Sequence, residues 1–420
     1  MSCTVIKSTN VVDQSINVFP PRDAVSKLRI LRNYDSDTPA MYKFITLFGG
    51  NFTVYGGVFT DSGLTQKSCV GGTDIISVTI DDGKEYAWLT WDTVTTINGY
   101  DIGSGAYPDY TLDLPNENLT SIMGIFEDSP LFNQPVGNLD VRKIENFQSA
   151  FKGNFKFNRS LRGWDTENAT YMSQLFWDCL EFNQPINHLK TGKVNSLYGF
   201  LKSAEKFNQP INKLDLSSCE FLDNAFWGTK SFNQSIDENN LSKVVTMAGT
   251  FEKSTFNQPI ANPTLNNVTN FNSCFQENSV FNSPITINMS NVETMTYMFY
   301  LATSFNQDIS NWNISKVLDF TNMLNGARAF NQDLSKWCAK FNINSNISQI
   351  FNGSGVTTEN YDKFLNALWL DIGTTRATQW QQRTAPRVLF YNDKKYSQAS
   401  ADARSNLIGA GWTIIDGGQV

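Results

Sequence analysis

The stretch Val292-Glu-Thr-Met-Thr-Tyr-Met-Phe-Tyr-Leu-Ala-Thr-Ser-Phe-Asn-Gln-Asp-Ile-Ser-Asn-Trp312 decides how the chain is read, because its landmarks return from residue 119 to residue 351. Phe-Asn recurs in one phase at Phe132, Phe157, Phe182, Phe207, Phe232, Phe256, Phe281, Phe305 and Phe330, in steps of 24 or 25 residues. Four residues after each stands an aliphatic: Val136, Leu161, Ile186, Ile211, Ile236, Ile260, Ile285, Ile309 and Leu334. Six residues before it the chain has Phe126, Phe151, Phe176, Leu201, Phe226, Phe275, Phe299 and Leu324, with Phe251 displaced by one where the repeat is shorter. A constant period with several fixed points marks a solenoid, in which each coil is a unit whose apolar side must be covered by its neighbours.

Upstream of each Phe-Asn, apolar residues fall at steps of three and four, as in Val292, Met295, Met298 and Phe299. That spacing predicts one face of a short helix or 3₁₀ turn. Phe-Asn-Gln-x-Ile is too short and too punctuated for a helix and reads as a brief extended segment. Pro135, Pro185, Pro210, Pro259 and Pro284 share one slot, which places a bend or an outward-facing amide position there. The phenylalanines and the aliphatics should form two stacked columns, each buried side chain contributing roughly 1.5 to 3 kcal/mol. The recurring Asn is read as structural, its amide satisfying backbone groups where coils turn.

The unit Val-x-x-Met-x-x-Met-Phe-x-x-Ala-x-x-Phe-Asn-Gln-x-Ile-x-x-Trp resembles the leucine-rich-like repeat of the BspA-type surface proteins. The resemblance implies a cell-surface or virion protein concerned with adhesion, and similar arrays occur in bacteriophage structural proteins. It supplies no catalytic residues. Trp closes the unit only at Trp164, Trp312 and Trp337; Leu139, Leu189, Leu214, Asn239 and Pro263 stand elsewhere, so the middle coils are expected to be less regular.

Composition bounds the class. The chain of 420 residues is 40% hydrophobic with 31 phenylalanines, enough for a large core, and only 17% charged. A net charge of −7 with no basic block argues against nucleic acid, whose binding rests on phosphate neutralisation, and against a polybasic membrane contact. Cys3, Cys69, Cys179, Cys219, Cys274 and Cys338 show no CxxC spacing and those in the repeats differ in phase, so neither a zinc site nor a disulfide framework is expected. They read as mostly buried free thiols of a chain assembled in a reducing compartment. The start Met1-Ser2-Cys3-Thr4-Val5-Ile6 has no secretory pattern, and no segment is apolar for long enough to span a membrane.

Residues 1–112 read as a small β-rich mounting domain, a sandwich or barrel, with strands at 27–31, 42–48, 51–59, 74–80 and 85–91 and a hairpin turn at Asp82-Gly83. Tyr100 to Pro115 reads as the connection, residues 113–355 as the solenoid of about nine coils, and residues 356–420 as a closing αβ cap. In that cap a helix is expected from Thr358 to Trp369 with Thr357 or Thr358 as N-cap, a strand at 387–391, a helix at 397–408 and a last strand at 411–415. The segment 404–418 is similar to closing segments of phage-encoded arrays of this family.

Little chemistry is legible. His188 is the only histidine and has no nucleophile motif beside it; Asp81, Asp82 and Glu85 are explained by a hairpin tip, and Asp308 and Asp333 by turn chemistry in the proline slot. Trp164, Trp312 and Trp337 are the candidate ligand-contact residues, as a sugar-stacking platform, against the plainer reading that each packs in its own coil. The expectation is therefore an α/β repeat protein of leucine-rich-repeat type, non-enzymatic and without cofactor or metal. It would be a virion structural or binding protein assembled in the host cytoplasm, meeting other virion proteins through the N-terminal domain and a host surface protein or glycan through the repeats, with self-association left open. The alternative setting is a bacterial surface adhesin.

Overall fold

The structure is a computed structural model; it describes residues 120–420 apart from 131, 134 and 138, and, before residue 120, ten strands and residues 62–65. The described chain falls into two compact units, Met1–Gln209 and Pro210–Val420.

In the first unit the strands are β1 (Thr4–Val5), β2 (Ser26–Leu31), β3 (Tyr42–Thr46), β4 (Gly50–Tyr55), β5 (Gly57–Phe59), β6 (Gln66–Cys69), β7 (Asp74–Ile80), β8 (Tyr86–Trp91), β9 (Ile97–Ile102) and β10 (Leu112–Asp113). They form a sheet ordered β1-β6-β4-β8-β2-β10 and a second ordered β5-β7-β3-β9, antiparallel throughout. The single run expected at 51–59 is two strands in different sheets. The expected hairpin is overturned: β7 pairs with β3 and β5 while β8 pairs with β2 and β4, so the strands flanking Asp82-Gly83 are not partners. Residues 81–85 themselves lie outside the described residues. Residues 100–102 and 112–113 of the expected connection sit in β9 and β10, and the rest of that segment, like Cys3, lies outside the described residues.

From residue 120 onward the repeats lie rung on rung within each unit. Phe132, Phe157, Phe182 and Phe207 stack with ring centroids 6.0, 5.8 and 5.9 Å apart, the last pair 3° from parallel. In the second unit Phe232, Phe256, Phe281, Phe305 and Phe330 do the same at 6.1, 6.4, 5.9 and 5.8 Å. In every coil but those of Phe207 and Phe330, where Leu201 and Leu324 stand instead, the ring also lies flat on the aromatic that precedes it in its own coil, as Phe157 on Phe151 at 4.0 Å and Phe305 on Phe299 at 3.8 Å. All are buried, as are the aliphatics four residues on. Such offset stacks add to area burial a further contribution of about 0.5 to 1.5 kcal/mol per pair.

The expected helical limb is not a helix: among the described residues from 120 to 334 no helix forms. Residues 147–154 show why. Alternate N–H groups close turns, Ala150 to Phe147 O, Lys152 to Ser149 O and Asn154 to Phe151 O, while those between them donate to the next coil, Phe147 to Tyr171 O, Ser149 to Ser173 O, Phe151 to Leu175 O and Gly153 to Trp177 O. A helix would keep all of these donors for itself. Two residues per coil, four apart, take positive φ, as at Ser149 and Gly153, Gln174 and Asp178, or Tyr297 and Leu301. That left-handed conformation interrupts any helical run and turns the donors outward. One parallel bridge precedes each such ribbon, as Ser121 to Asn146 to Tyr171, or Thr246 to Asn270 to Thr294 to Asp319. The shorter repeat at Phe256 has lost its residue just after the ribbon: Lys253, the second positive-φ residue, stands three rather than four before the ring.

The recurring Asn forms a one-way ladder. Oδ1 of Asn133, Asn158 and Asn183 accepts the backbone N–H of Asn158, Asn183 and Asn208 in turn, at 2.9–3.0 Å. In the second unit Asn233, Asn257, Asn282, Asn306 and Asn331 accept from Asn257, Asn282, Asn306, Asn331 and finally Thr357. Each otherwise unpaired N–H at the start of the extended limb is thereby met by the neighbouring coil.

After the last repeat come a 3₁₀ turn (Ser335–Lys340), α1 (Thr358–Leu370), a π turn (Asp371–Thr375), α2 (Ala377–Gln381), β11 (Val388–Tyr391), α3 (Ala401–Gly409) and β12 (Thr413–Asp416), with β11 and β12 parallel. The π turn and α2 were not expected. Thr357 holds the N-cap position of α1 without a side-chain cap bond. This segment packs on the last coil: Phe364 meets Phe351 edge-on at 4.9 Å, Phe390 N–H donates to Ser348 O, Tyr391 Oη donates to Ile347 O, and the Asp393 carboxylate accepts the Gly353 N–H.

Candidate binding groove

The three tryptophans expected to form a sugar-stacking platform are buried. Trp164, Trp312 and Trp337 are 3%, 7% and 0% exposed, and each indole Nε1 donates to a carbonyl of the preceding coil, Val136, Ile285 and Ile309. Their faces are covered by their own coils and offer a ligand nothing. The same kind of carbonyl is met elsewhere by other chemistry: His188 Nε2 lies 2.8 Å from Leu161 O, Asn239 Nδ2 donates to Ile211 O and Asn262 Nδ2 to Ile236 O. In three of the coils that lack Trp another side chain thus supplies the donor, Asn239 from the same slot and His188 and Asn262 from the residue before it, and the histidine is a structural member of the set. Asp308 and Asp333 accept the N–H of Ser310 and Ser335, closing turns.

Cys179, Cys219, Cys274 and Cys338 are buried free thiols. Burial pushes the thiols of Cys179, Cys274 and Cys338, and the phenols of Tyr361 and Tyr391, above their ordinary values. Their neutral forms are favoured by the fold, so the stability linked to them is complete below the unfolded pKa values and is lost as pH rises past them. The urea midpoint of unfolding should therefore fall between about pH 8 and about pH 10; an unchanged midpoint would mean these groups ionise in place. Among the described residues no cluster of His, Cys, Asp and Glu could hold a metal ion, and no helix is long and apolar enough to cross a membrane.

The second unit carries a groove of about 510 Å³ lined by Glu220, Ser242, Lys243, Val245, Asn267, Thr269, Asn291, Glu293 and Lys316. One wall is the edge of the bridge ladder, where Val245, Thr269 and Glu293 donate backbone N–H to the carbonyls of Glu220, Val245 and Thr269. The other wall is Lys243, Asn267, Asn291 and Lys316. Asn267 Nδ2 and Asn291 Nδ2 donate to Ser242 O and Asn266 O, and Lys316 Nζ to Asn291 Oδ1 at 2.9 Å, so this wall is braced coil to coil. The lining therefore repeats at coil intervals, with carboxylates along one side and ammonium and amide groups along the other. Sequence reading missed it because its residues are single polar positions in different repeats. The signal was there in the phase: Lys243 and Lys316 occupy one slot of the unit, Glu220 and Glu293 another. A second hollow, of about 600 Å³, lies at the start of α1 beside Asn331, Glu359, Asp393 and Lys395, without that periodicity.

These features define a repeat protein with an open polar groove. The chain belongs to the family described as "Mycoplasma protein of unknown function, DUF285", whose pattern matches three times, over residues 113–213, 180–263 and 247–364. No curated protein and no solved structure matches it.

Proposed function

We propose that the chain is a non-enzymatic binding protein built from leucine-rich-repeat-like solenoid coils of the BspA type, presenting its groove to an extended partner at a virion surface. The observation that carries this reading is the groove lining, which comes at coil intervals from successive repeats and so fits a partner that is itself extended. Catalysis finds no support there: Glu220 and Glu293 stand three ladder steps apart, roughly 14 Å at about 4.8 Å per step, beyond the roughly 5 to 10 Å over which paired carboxylates cleave a glycosidic bond. Four buried cysteines in different coils, none paired with another, agree with assembly in a reducing cytoplasm. A second setting is the surface of a bacterial cell; the family description, a mycoplasma protein, agrees with a bacterial source.

Antibody against the repeats separates the settings, labelling purified virions in the first case and intact bacterial cells in the second; label on neither rejects both. Replacing Lys243 and Lys316 by Glu should weaken binding of the full chain to the labelled partner surface by about tenfold, the scale of one or two lost charge contacts. Binding that is indifferent to this change, or release of sugar from host polysaccharide by the purified chain, would reject the reading.

A further inference from the structure

The charges of the groove in the second unit come in a fixed order. Glu220 lies one ladder step before the coil of Lys243, since Val245 N–H donates to Glu220 O, and Glu293 lies one step before the coil of Lys316, since Leu318 N–H donates to Glu293 O. The same diagonal, carboxylate on one wall and ammonium on the other, is thus laid down twice, three steps or roughly 14 Å apart at about 4.8 Å per step. Between the two diagonals the lining is neutral, Val245 and Thr269 on one wall, Asn267 and Asn291 on the other. Lys316 is braced on Asn291 Oδ1, whereas the side chains of Glu220, Lys243 and Glu293 have no hydrogen bond or ion pair among the described residues.

That arrangement selects the chemistry of the occupant. Two carboxylates repel a polyanion and two ammonium groups a polycation, so the partner must carry both signs. No aromatic side chain lines the groove, and a sugar ring has nothing to stack on. The walls are two residues apart in each coil, as Lys243 and Val245 are, at most about 7 Å, too close to admit a helix of about 10 to 12 Å. An extended polypeptide meets all three limits. Its successive side chains point to opposite sides, and four residues advance about 13.6 Å, within about 1 Å of three coils. Residues i and i+4 then face the carboxylate wall, and i+1 and i+5 the ammonium wall. The step inside each pair, about 3.4 Å against about 4.8 Å, is taken up by the long side chains. We infer that the groove binds an extended polypeptide segment of the form Lys-Glu-x-x-Lys-Glu, its cations on Glu220 and Glu293 and its anions on Lys243 and Lys316. This rests on the groove being the binding surface and adds what it holds.

Surface plasmon resonance of the full chain over immobilised Gly-Lys-Glu-Thr-Thr-Lys-Glu-Gly tests this. The chain should bind that peptide. One Thr inserted between the pairs should weaken binding about tenfold, because a shift of one residue turns the second pair to the wrong walls. Lys-Lys-Thr-Thr-Glu-Glu between the same glycines should bind as poorly, and Lys243→Glu with Lys316→Glu should lose the matched peptide while keeping the unfolding midpoint. No binding, or binding that does not distinguish the matched peptide from the other two, overturns the inference. Protease treatment of the labelled virions or cells should abolish their capture of the chain; capture that survives protease and is lost after periodate oxidation assigns the groove to a glycan and also overturns it. Should the Lys243→Glu, Lys316→Glu variant lose the surface partner while no peptide binds, the groove stands as the binding surface and only the polypeptide occupant is rejected.

Discussion

Phe182→Ala should destabilise the first unit by about 3 to 5 kcal/mol, measured as a loss in unfolding free energy by urea denaturation. The ring is fully buried and has aromatic neighbours on three sides, Phe176 at 4.1 Å, Phe157 at 5.8 Å and Phe207 at 5.9 Å. Removing it leaves a void that neither adjoining rung can fill, because Phe157 is pinned by Phe151 at 4.0 Å and Phe207 is itself fully buried in its own coil. Phe182→Leu keeps more volume and should cost less. A loss below about 1 kcal/mol, the size of an ordinary surface change, would show that the column is not the stabilising core.

The second large effect belongs to Asp371, which is 2% exposed. Its carboxylate accepts from Arg376 Nε at 2.9 Å and Nη2 at 2.7 Å and from Trp380 Nε1 at 2.7 Å. The same guanidinium donates to Phe341 O and Cys338 O, so one ion pair ties the π turn and α2 to the 3₁₀ turn after the last repeat. Asp371→Ala strands a cation and an indole N–H in a largely enclosed site. Breaking such a pair by removing one partner typically costs about 3 to 5 kcal/mol, and the partial exposure of Arg376 puts the expectation at the lower end. The readout is early proteolytic release of the region after residue 356 together with a red shift of Trp380 emission. Cleavage no faster than in the unchanged protein would show that α2 is held by packing alone. Nearby, burial and the neighbouring Arg387 lower the Arg383 pKa to about 10, yet its guanidinium keeps carbonyl partners at Ser345 and Pro386 and lies over both Trp380 and Trp412.

Much of the repeat was legible because burial is periodic. Phe182, Ile186 and Asn183 each recur in a slot of fixed chemistry, and that chemistry fits what each does. The ribbon was misread because Val292, Met295, Met298 and Phe299 have helical spacing, and spacing cannot distinguish a helix from a chain whose every second N–H leaves for the next coil. Positive φ would have been a warning, but here it falls on Ser149, Gln174, Tyr297 and Leu301 as well as on glycines. The tryptophans misled for the opposite reason. A recurring aromatic at the Trp slot marks an inner position, whereas Tyr171, Tyr198 and Phe221, each at a slot that is polar in most coils, are exposed. The groove was out of reach because no contiguous segment contains it.

The cross-coil bonding has a consequence for how such a chain can change. Each coil donates from the same positions to the same positions of its successor, so excising or duplicating one full period inside a unit would rejoin donors to matching acceptors. A change of one residue within the ribbon would instead shift every later donor off its acceptor. Whole periods can thus be added or removed without breaking the ladder, while a shift of phase within the ribbon cannot be absorbed. The two repeats that are one residue short agree with this: one is shorter between Lys253 and Phe256, the other between Ile285 and Val292, and both places lie outside the ribbon.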